Sequence, residues 1–210
     1  FAAAMSRHGI GNAGNSAETL VVAYDDAAGM FAARLWWALN YYGHTNVVVL
    51  DGGWQKWTAE NRPTTDVLPE VPPAAFTPKQ NTAIYRSSAQ VLSQLKGDQQ
   101  LIDVRTPEEF AGKSSRASRA GRIPTALNLP RTLLIHGDGT LLSPETLRRR
   151  FASVGVDANN AQDVVFYCNG GVSASFGLLA LRAAGFETGS VYDGSWKEWG
   201  NDQSKPIIKA

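Results

Sequence analysis

Two stretches of this chain echo one another, and the echo restricts the folds open to it more than any other feature. Gly43-His44 and then Val49-Leu50-Asp51-Gly52-Gly53-Trp54-Gln55-Lys56-Trp57 match Gly185-Phe186 and then Val191-Tyr192-Asp193-Gly194-Ser195-Trp196-Lys197-Glu198-Trp199. The interval from the first glycine to the Asp-Gly pair is the same in both. Upstream, Tyr24-Asp25 falls opposite Tyr167-Cys168, and the loop that follows is longer by one residue in the first copy. Each copy reads strand, loop, helix, strand. The period exceeds that of solenoid repeats, so it predicts two similar domains.

The chemistry is concentrated in the second copy. Val164-Val165-Phe166-Tyr167 is a short apolar run that ends at Cys168, and Asn169-Gly170-Gly171-Val172-Ser173-Ala174 follows before an amphipathic run over 175–184. This pattern predicts a buried strand that delivers a thiol to a loop closed by a helix N-terminus. A lone cysteine is most often a small buried hydrophobe. Here it follows the strand instead of sitting within it, and small residues come next. Loop amides at a helix N-terminus favour a thiolate and can also cradle an anion. One loop therefore offers a nucleophile and an anion site together.

Composition narrows the class. The 20 Lys and Arg residues nearly balance the 19 Asp and Glu, so nothing favours nucleic acid as a partner. No apolar run is long enough to span a bilayer, and no membrane partner is expected. The single cysteine excludes an internal disulfide, which fits a reducing, cytoplasmic setting. His8, His44 and His136 show no metal-ligand spacing with Cys168, so neither a metal nor a cofactor is expected.

Strands alternate with helices. Residues 20–24, 47–50, 101–105 and 164–167 read as strands; residues 1–9, 29–42 and 54–59 read as helices. Ser87-Ser88-Ala89-Gln90 resembles a capping box for a helix stopping at Gly97. Thr106-Pro107-Glu108-Glu109 starts another, with proline in its first turn, and Ser143-Pro144-Glu145 opens a helix ending at Gly155. Half of the ten prolines fall between Asn61 and Gln80, an extended linker. The predicted organisation is residues 1–60 as part of one domain, 61–80 as linker and 81–210 as a second domain. The fold class is α/β, with mostly parallel central sheets flanked by helices. Ligands in such sheets bind at the carboxyl ends of strands, where Asp103 and Cys168 fall. The six tryptophans are expected to pack between layers or between domains.

Leu101-Ile102-Asp103-Val104-Arg105, Gly121-Arg122-Ile123-Pro124-Thr125-Ala126, the Tyr167-to-Ala174 loop and Tyr192-to-Trp199 together resemble the rhodanese superfamily, in its tandem two-domain sulfurtransferase branch. The resemblance implies two rhodanese-like domains, the first catalytically silent because Asp25 occupies the place of Cys168. It also implies an early strand and helix ahead of Phe1. Without them the first sheet would expose apolar surface, so that segment is expected either as a separate N-terminal fragment of the same protein, acting as a partner, or as a piece clipped from it.

By the same resemblance, Cys168 would take the outer sulfur of thiosulfate or 3-mercaptopyruvate as a persulfide and pass it to a thiol or cyanide. Asn169, Gly170, Gly171, Val172, Ser173 and Ala174 would bind substrate through the loop, with Ser173 either donating its hydroxyl or capping the helix. Asp103, Arg105 and Arg122 are further substrate-binding candidates, since bidentate arginine suits an oxyanion. Arg105 is more often a structural partner of nearby carboxylates, and Asp103 is read alternatively as orienting the loop or pairing with an arginine. Arg116 and Arg119 are read equally as substrate ligands or as a solvated basic loop. The neutral Asn169-Gly170-Gly171 run resembles mercaptopyruvate loops, which however carry Ser or Thr where Gly170 stands and Arg where Glu109 stands.

A cysteine phosphatase would need an arginine six residues after Cys168, and Ala174 is there. A Cys–His hydrolase finds no histidine in a recognisable setting. The alternative of a different kind is a catalytically idle rhodanese-like binding module.

Overall fold

The computed structural model describes residues 1–12 and 19–209. The N-terminal part holds α1 (Ala2–Arg7), β1 (Val21–Ala23), α2 (Met30–Tyr41), β2 (Val47–Val49) and α3 (Gly53–Ala59). β1 and β2 pair in parallel as a two-stranded sheet. Residues 62–81 then run without helix or strand. They are tied to the N-terminal part by Ala74 N–H to Ser6 O (2.9 Å) and Lys79 N–H to Tyr42 O (3.0 Å). Phe76 packs there against Leu39 and Val47.

Beyond it come β3 (Tyr85–Arg86), α4 (Ser88–Ser93), β4 (Gln100–Asp103), α5 (Pro107–Phe110) and β5 (Leu127–Asn128). They are followed by α6 (Pro144–Ala152), β6 (Val164–Tyr167), α7 (Val172–Ala183), β7 (Ser190–Tyr192) and α8 (Ser195–Trp199). The five strands form one sheet in the order β3-β7-β6-β4-β5, with every pairing parallel. The expected parallel α/β class is found. β3 and β5 were not expected, because two residues are too few to show a period of two.

Helix starts follow side-chain chemistry. Ser87 and Gln90 close a reciprocal capping box on α4, and Thr106 and Glu109 close one on α5 with Pro107 in the first turn. Ser143 caps α6. The helix ahead of Gly97 ends earlier than expected, at Ser93, and continues as turns.

Strand alternation divides the core. Val164, Phe166 and Cys168 face one side with Ile102 and Val104, under α6 and α7. Val165, Tyr167, Leu101 and Tyr192 face the other, with Val91, Trp196 and Trp199. Ala33 and Trp37 of α2 join the first cluster, so α2 and α7 pack the two parts of the chain together. Gly177 lets α7 lie flat on the sheet, since a Cβ there would stand 2.6 Å from Phe166 Cδ1. Gly177→Val is therefore expected to cost about 1–3 kcal/mol by overpacking, read as a lowered thermal midpoint.

Four tryptophans, Trp36, Trp37, Trp196 and Trp199, pack as expected, but Trp54 stays 40% exposed. It stacks on Tyr24 beside Val22 and Val48, which are 49% and 47% exposed. Alternate side chains of β1 and β2 point outward and stay about half exposed among the described residues. Among the described residues no helix is long and apolar enough to cross a membrane.

Candidate active site

β6 is the central strand, and the chain leaves it at Cys168. The turn after it is built by Ser195. The Ser195 hydroxyl accepts the N–H groups of Cys168 and Gly171 (3.1 Å each) and donates to Tyr192 O (2.8 Å). Trp196 N–H and Lys197 N–H close on the carbonyls of Cys168 (2.9 Å) and Asn169 (2.8 Å). Ser195 itself has φ +52, a region costly for a residue with a side chain. Its hydroxyl explains its presence: three hydrogen bonds fix the loop. The internal comparison puts Gly53 opposite Ser195, so the signal for this residue was an unmatched serine in Asp-Gly-Ser-Trp.

Gly171 (φ +81) caps α7, and a Cβ on it would meet Asp193 Oδ1 at 2.6 Å. α7 has no side-chain cap, and its first backbone bond runs from Ser175 N–H to Gly171 O (3.0 Å). Among the described residues the N–H groups of Gly170, Val172, Ser173 and Ala174 have no hydrogen-bond partner. Such unpaired amides give the end of the helix a partial positive charge.

The corresponding loop of the N-terminal part is closed by a similar backbone bond but filled differently. Trp54 N–H reaches Asp25 O (2.8 Å), as Trp196 N–H reaches Cys168 O. The Asp25 carboxylate, however, fills its own loop. Oδ1 accepts from Ala27 and Gly29 (2.8 and 2.9 Å), and Oδ2 accepts from Phe31 and Ala32 (2.7 and 2.8 Å). Burial works to raise the Asp25 pKa, but these four bonds outweigh it and hold the carboxyl below its ordinary value.

Cys168, 4% exposed, lies at a cavity of about 490 Å³. Asn169, Gly170, Val172 and Ser173 share its wall with Thr106, Pro107, Glu109, Arg116, Pro130 and Arg131. Met30 and Phe31 of the N-terminal part complete it. Gly171 and Ala174 lie behind the wall. Ser173 is the second residue of α7 and not its cap; its hydroxyl donates to Met30 Sδ (3.3 Å).

The remaining sequence candidates separate by what their charges meet. Asp103 lies outside the cavity, fully buried, and binds Arg105 in a fork: Nε to Oδ1 and Oδ2 (3.0 Å each) and Nη2 to Oδ2 (2.6 Å). Arg105 also donates to Gly121 O (2.9 Å) and lies over the Trp196 ring at 4.6 Å. Arg105 lines the cavity as well; its Nε and Nη2 are spent internally, and its buried Nη1 has no hydrogen-bond partner among the described residues. Burial acts to lower the Arg105 pKa, and the Asp103 hydrogen bonds overcome this and raise it. The pair braces the sheet end, and of the two candidates only Arg105 lines the cavity, Asp103 lying outside it. Arg122 lies over Phe110 at 4.6 Å, pairs its backbone with Ile208 and does not reach the cavity. Arg119 is bound to the carbonyls of Trp199, Gly200, Asp202 and Lys205, clamping the C-terminal segment.

Two more arginines line the cavity. Arg116 is exposed, 3.6 Å from Glu109 Oε1. Arg131, which the sequence reading missed, donates Nη1 to Ala28 O (3.1 Å) and lies over Phe176 at 5.4 Å. Burial lowers its pKa, and the nearby Asp25 charge opposes that. Glu109, 8% exposed, accepts from Asn169 Nδ2 (2.8 Å) and so places a carboxylate beside the loop.

Fold and cavity together define a class: a parallel α/β protein with a single thiol at the carboxyl end of its central strand, at a cavity whose wall carries open loop amides and arginines. The family follows from comparison. The model of the rhodanese-like domain matches residues 6–60 and 88–202, and the chain belongs to that family, a family of sulfurtransferases. A protein of Haloferax volcanii named as a proposed thiosulfate sulfurtransferase is 34% identical over 211 residues, covering 95% of this chain and 72% of the relative. The sulfur carrier protein TtuD of Thermus thermophilus is 35% identical over 223 residues, with 100% and 76% covered. Among solved structures, the anaerobic ergothioneine biosynthesis enzyme of Chlorobium limicola, in complex with trimethyl histidine, superposes with a TM-score of 0.84 at 26% identity. The match covers 99% of this chain, which spans about half (54%) of that enzyme. A structure of EanB bearing a cysteine persulfide matches at TM-score 0.87 and 27% identity.

Proposed function

We propose that the chain transfers sulfane sulfur through a persulfide on Cys168, accepting it from thiosulfate or 3-mercaptopyruvate and passing it to a thiol or cyanide. The observation that carries this reading is the contrast between the two loops. Where Asp25 stands, a carboxylate occupies the loop amides. Where Cys168 stands, Ser195 takes the N–H of Gly171, but those of Gly170, Val172, Ser173 and Ala174 are open, and the loop lines a cavity with Arg131 on its wall. A loop that holds an internal anion in one copy is built to hold a reacting anion in the other. The persulfide-bearing structural relative supports the same chemistry.

The two half-reactions balance. The Cys168 thiolate attacks the outer sulfur of the donor, forming a sulfur–sulfur bond and breaking the donor's bond to that sulfur. The departing electron pair leaves on sulfite, or on the enolate that takes a proton to become pyruvate. The acceptor then attacks the terminal sulfur and the thiolate departs. This is covalent catalysis in two easier steps. The open amides of Gly170, Val172 and Ser173, which share the cavity wall, stabilise the negative charge in each.

Glu109 bears on donor choice. A carboxylate at the wall repels a dianion more than a monoanion, which favours 3-mercaptopyruvate over thiosulfate. Glu109→Gln is expected to raise kcat/KM for thiosulfate about threefold while changing that for 3-mercaptopyruvate less. We further infer that the uncovered face of β1 and β2 is covered by another segment of the first rhodanese-like domain, which is silent because it lacks the thiol.

The deciding experiment is a side-by-side kcat/KM for thiosulfate and 3-mercaptopyruvate with cyanide and with a thiol as acceptors. Turnover with either donor, higher with 3-mercaptopyruvate, is expected. No turnover with either would make the chain an idle rhodanese-like binding module.

A further inference from the structure

Asp25 has no part in the sulfur chemistry, yet its surroundings lead to the Cys168 cavity. Its carboxylate gathers four backbone N–H groups from residues 27–32, so the loop is wrapped around one side chain. That loop touches the site in three ways. Met30 and Phe31 line the cavity. Met30 Sδ accepts the hydroxyl of Ser173, one residue into the opposite helix. The carbonyl of Ala28 accepts Arg131 Nη1 at 3.1 Å. Among the described residues this is the only hydrogen bond that the Arg131 side chain makes, and its other contact is the face of Phe176. Arg131 opens a short 3-10 turn (Arg131–Leu134) tied to the sheet by its own N–H to Val104 O (3.1 Å), so the sheet places its backbone while Ala28 O and Phe176 place its guanidinium.

Resting on the sulfur-transfer reading, we propose that Asp25 is a positioning residue of the active site: it holds loop 26–32 in the shape that seats Arg131 on the cavity wall, where the guanidinium meets the anionic end of the sulfur donor. The silent copy of the motif thus contributes to the active one. Its carboxylate substitutes for a bound anion, and the organised loop forms the far wall of the other copy's cavity. The donor's anionic end is recognised by Arg131, so the loss of Asp25 acts on donor affinity more than on the persulfide step.

The test is Asp25→Gly in the full chain. KM for the anionic donor should rise about tenfold, with kcat within about twofold of wild type. Acetate supplied in the buffer should restore KM, because it fits the vacated amide nest, and chloride at equal ionic strength should not. Arg131→Ala should raise KM similarly, and adding Asp25→Gly to it should do little more, since both act through one guanidinium. Should Asp25→Gly fail to fold, Asp25→Asn carries the same test: it keeps one acceptor oxygen and replaces the other with a donor, and the same rise in KM is expected. An unchanged KM in a folded Asp25 variant would overturn the proposal, as would a KM rise additive with Arg131→Ala. If wild type is active and these variants match it, only the positioning role fails; a wild type inactive with every donor removes both readings.

Discussion

Cys168→Ser reduces sulfur transfer by at least roughly a thousandfold and leaves the protein folded. That is the expected result when a covalent intermediate loses its nucleophile, because no other group in the cavity can carry sulfur. Among the described residues Cys168 is the only cysteine, and no second thiol exists in the whole sequence. Serine is close in size, and the backbone of residue 168 is held by Ser195 and Trp196 independently of the side chain. The cost to stability should be about 1 kcal/mol for a hydroxyl in a site that packs with Phe166 and Ala174. Steady-state assays beside thermal unfolding separate the two effects. Turnover near the wild-type rate would mean that the sulfur travels by another route.

Arg105→Ala acts in the opposite sense, on the fold before the chemistry. Its side chain is 1% exposed and forks onto an Asp103 carboxylate that is wholly buried. Replacing a buried pair with matched apolar groups can be neutral, but removing one partner strands the other's charge and costs about 3–5 kcal/mol. Burial already pushes the Asp103 carboxyl upward, and it is opposed chiefly by the Arg105 hydrogen bonds and charge, with a smaller contribution from Tyr167. Against a typical total of about 5–15 kcal/mol, the loss should be visible as a large fall in the denaturant midpoint. The paired change Asp103→Asn with Arg105→Met should recover part of it. A folded, equally stable Arg105→Ala with a raised KM would instead make Arg105 a substrate ligand.

That pair shows where sequence reasoning reached its limit. The Asp103-Val104-Arg105 spacing puts both residues on one side of a strand end, so a brace and a substrate clamp look alike until the fork is seen. Arg122 and Arg119 were legible as basic, but what they meet, the Phe110 ring and a set of C-terminal carbonyls, comes from distant chain segments. Arg131, Met30 and Phe31 carried no pattern of their own. Arg131 follows a strand too short to show alternation, and the other two reach the cavity only because α2 packs on α7. What could be read was local. The capping boxes at Ser87 and Thr106, the apolar run through Val164 to Tyr167 and the small residues after Cys168 each specify their own conformation. The start of α7 was placed three residues late, because Gly171 in a left-handed conformation caps it without a side chain. Ser195, whose hydroxyl organises the Cys168 turn, differs from its counterpart Gly53 by a single side chain that the comparison of the two copies passes over.

The central claim is that Cys168 carries a second sulfur, and intact-mass spectrometry of the protein after brief incubation with 3-mercaptopyruvate or thiosulfate tests it most directly. The account predicts a gain equal to one sulfur atom, located by peptide mapping to Cys168, removed by cyanide and absent from Cys168→Ser. A protein whose mass never changes under either donor, or whose extra sulfur survives in Cys168→Ser, would contradict it.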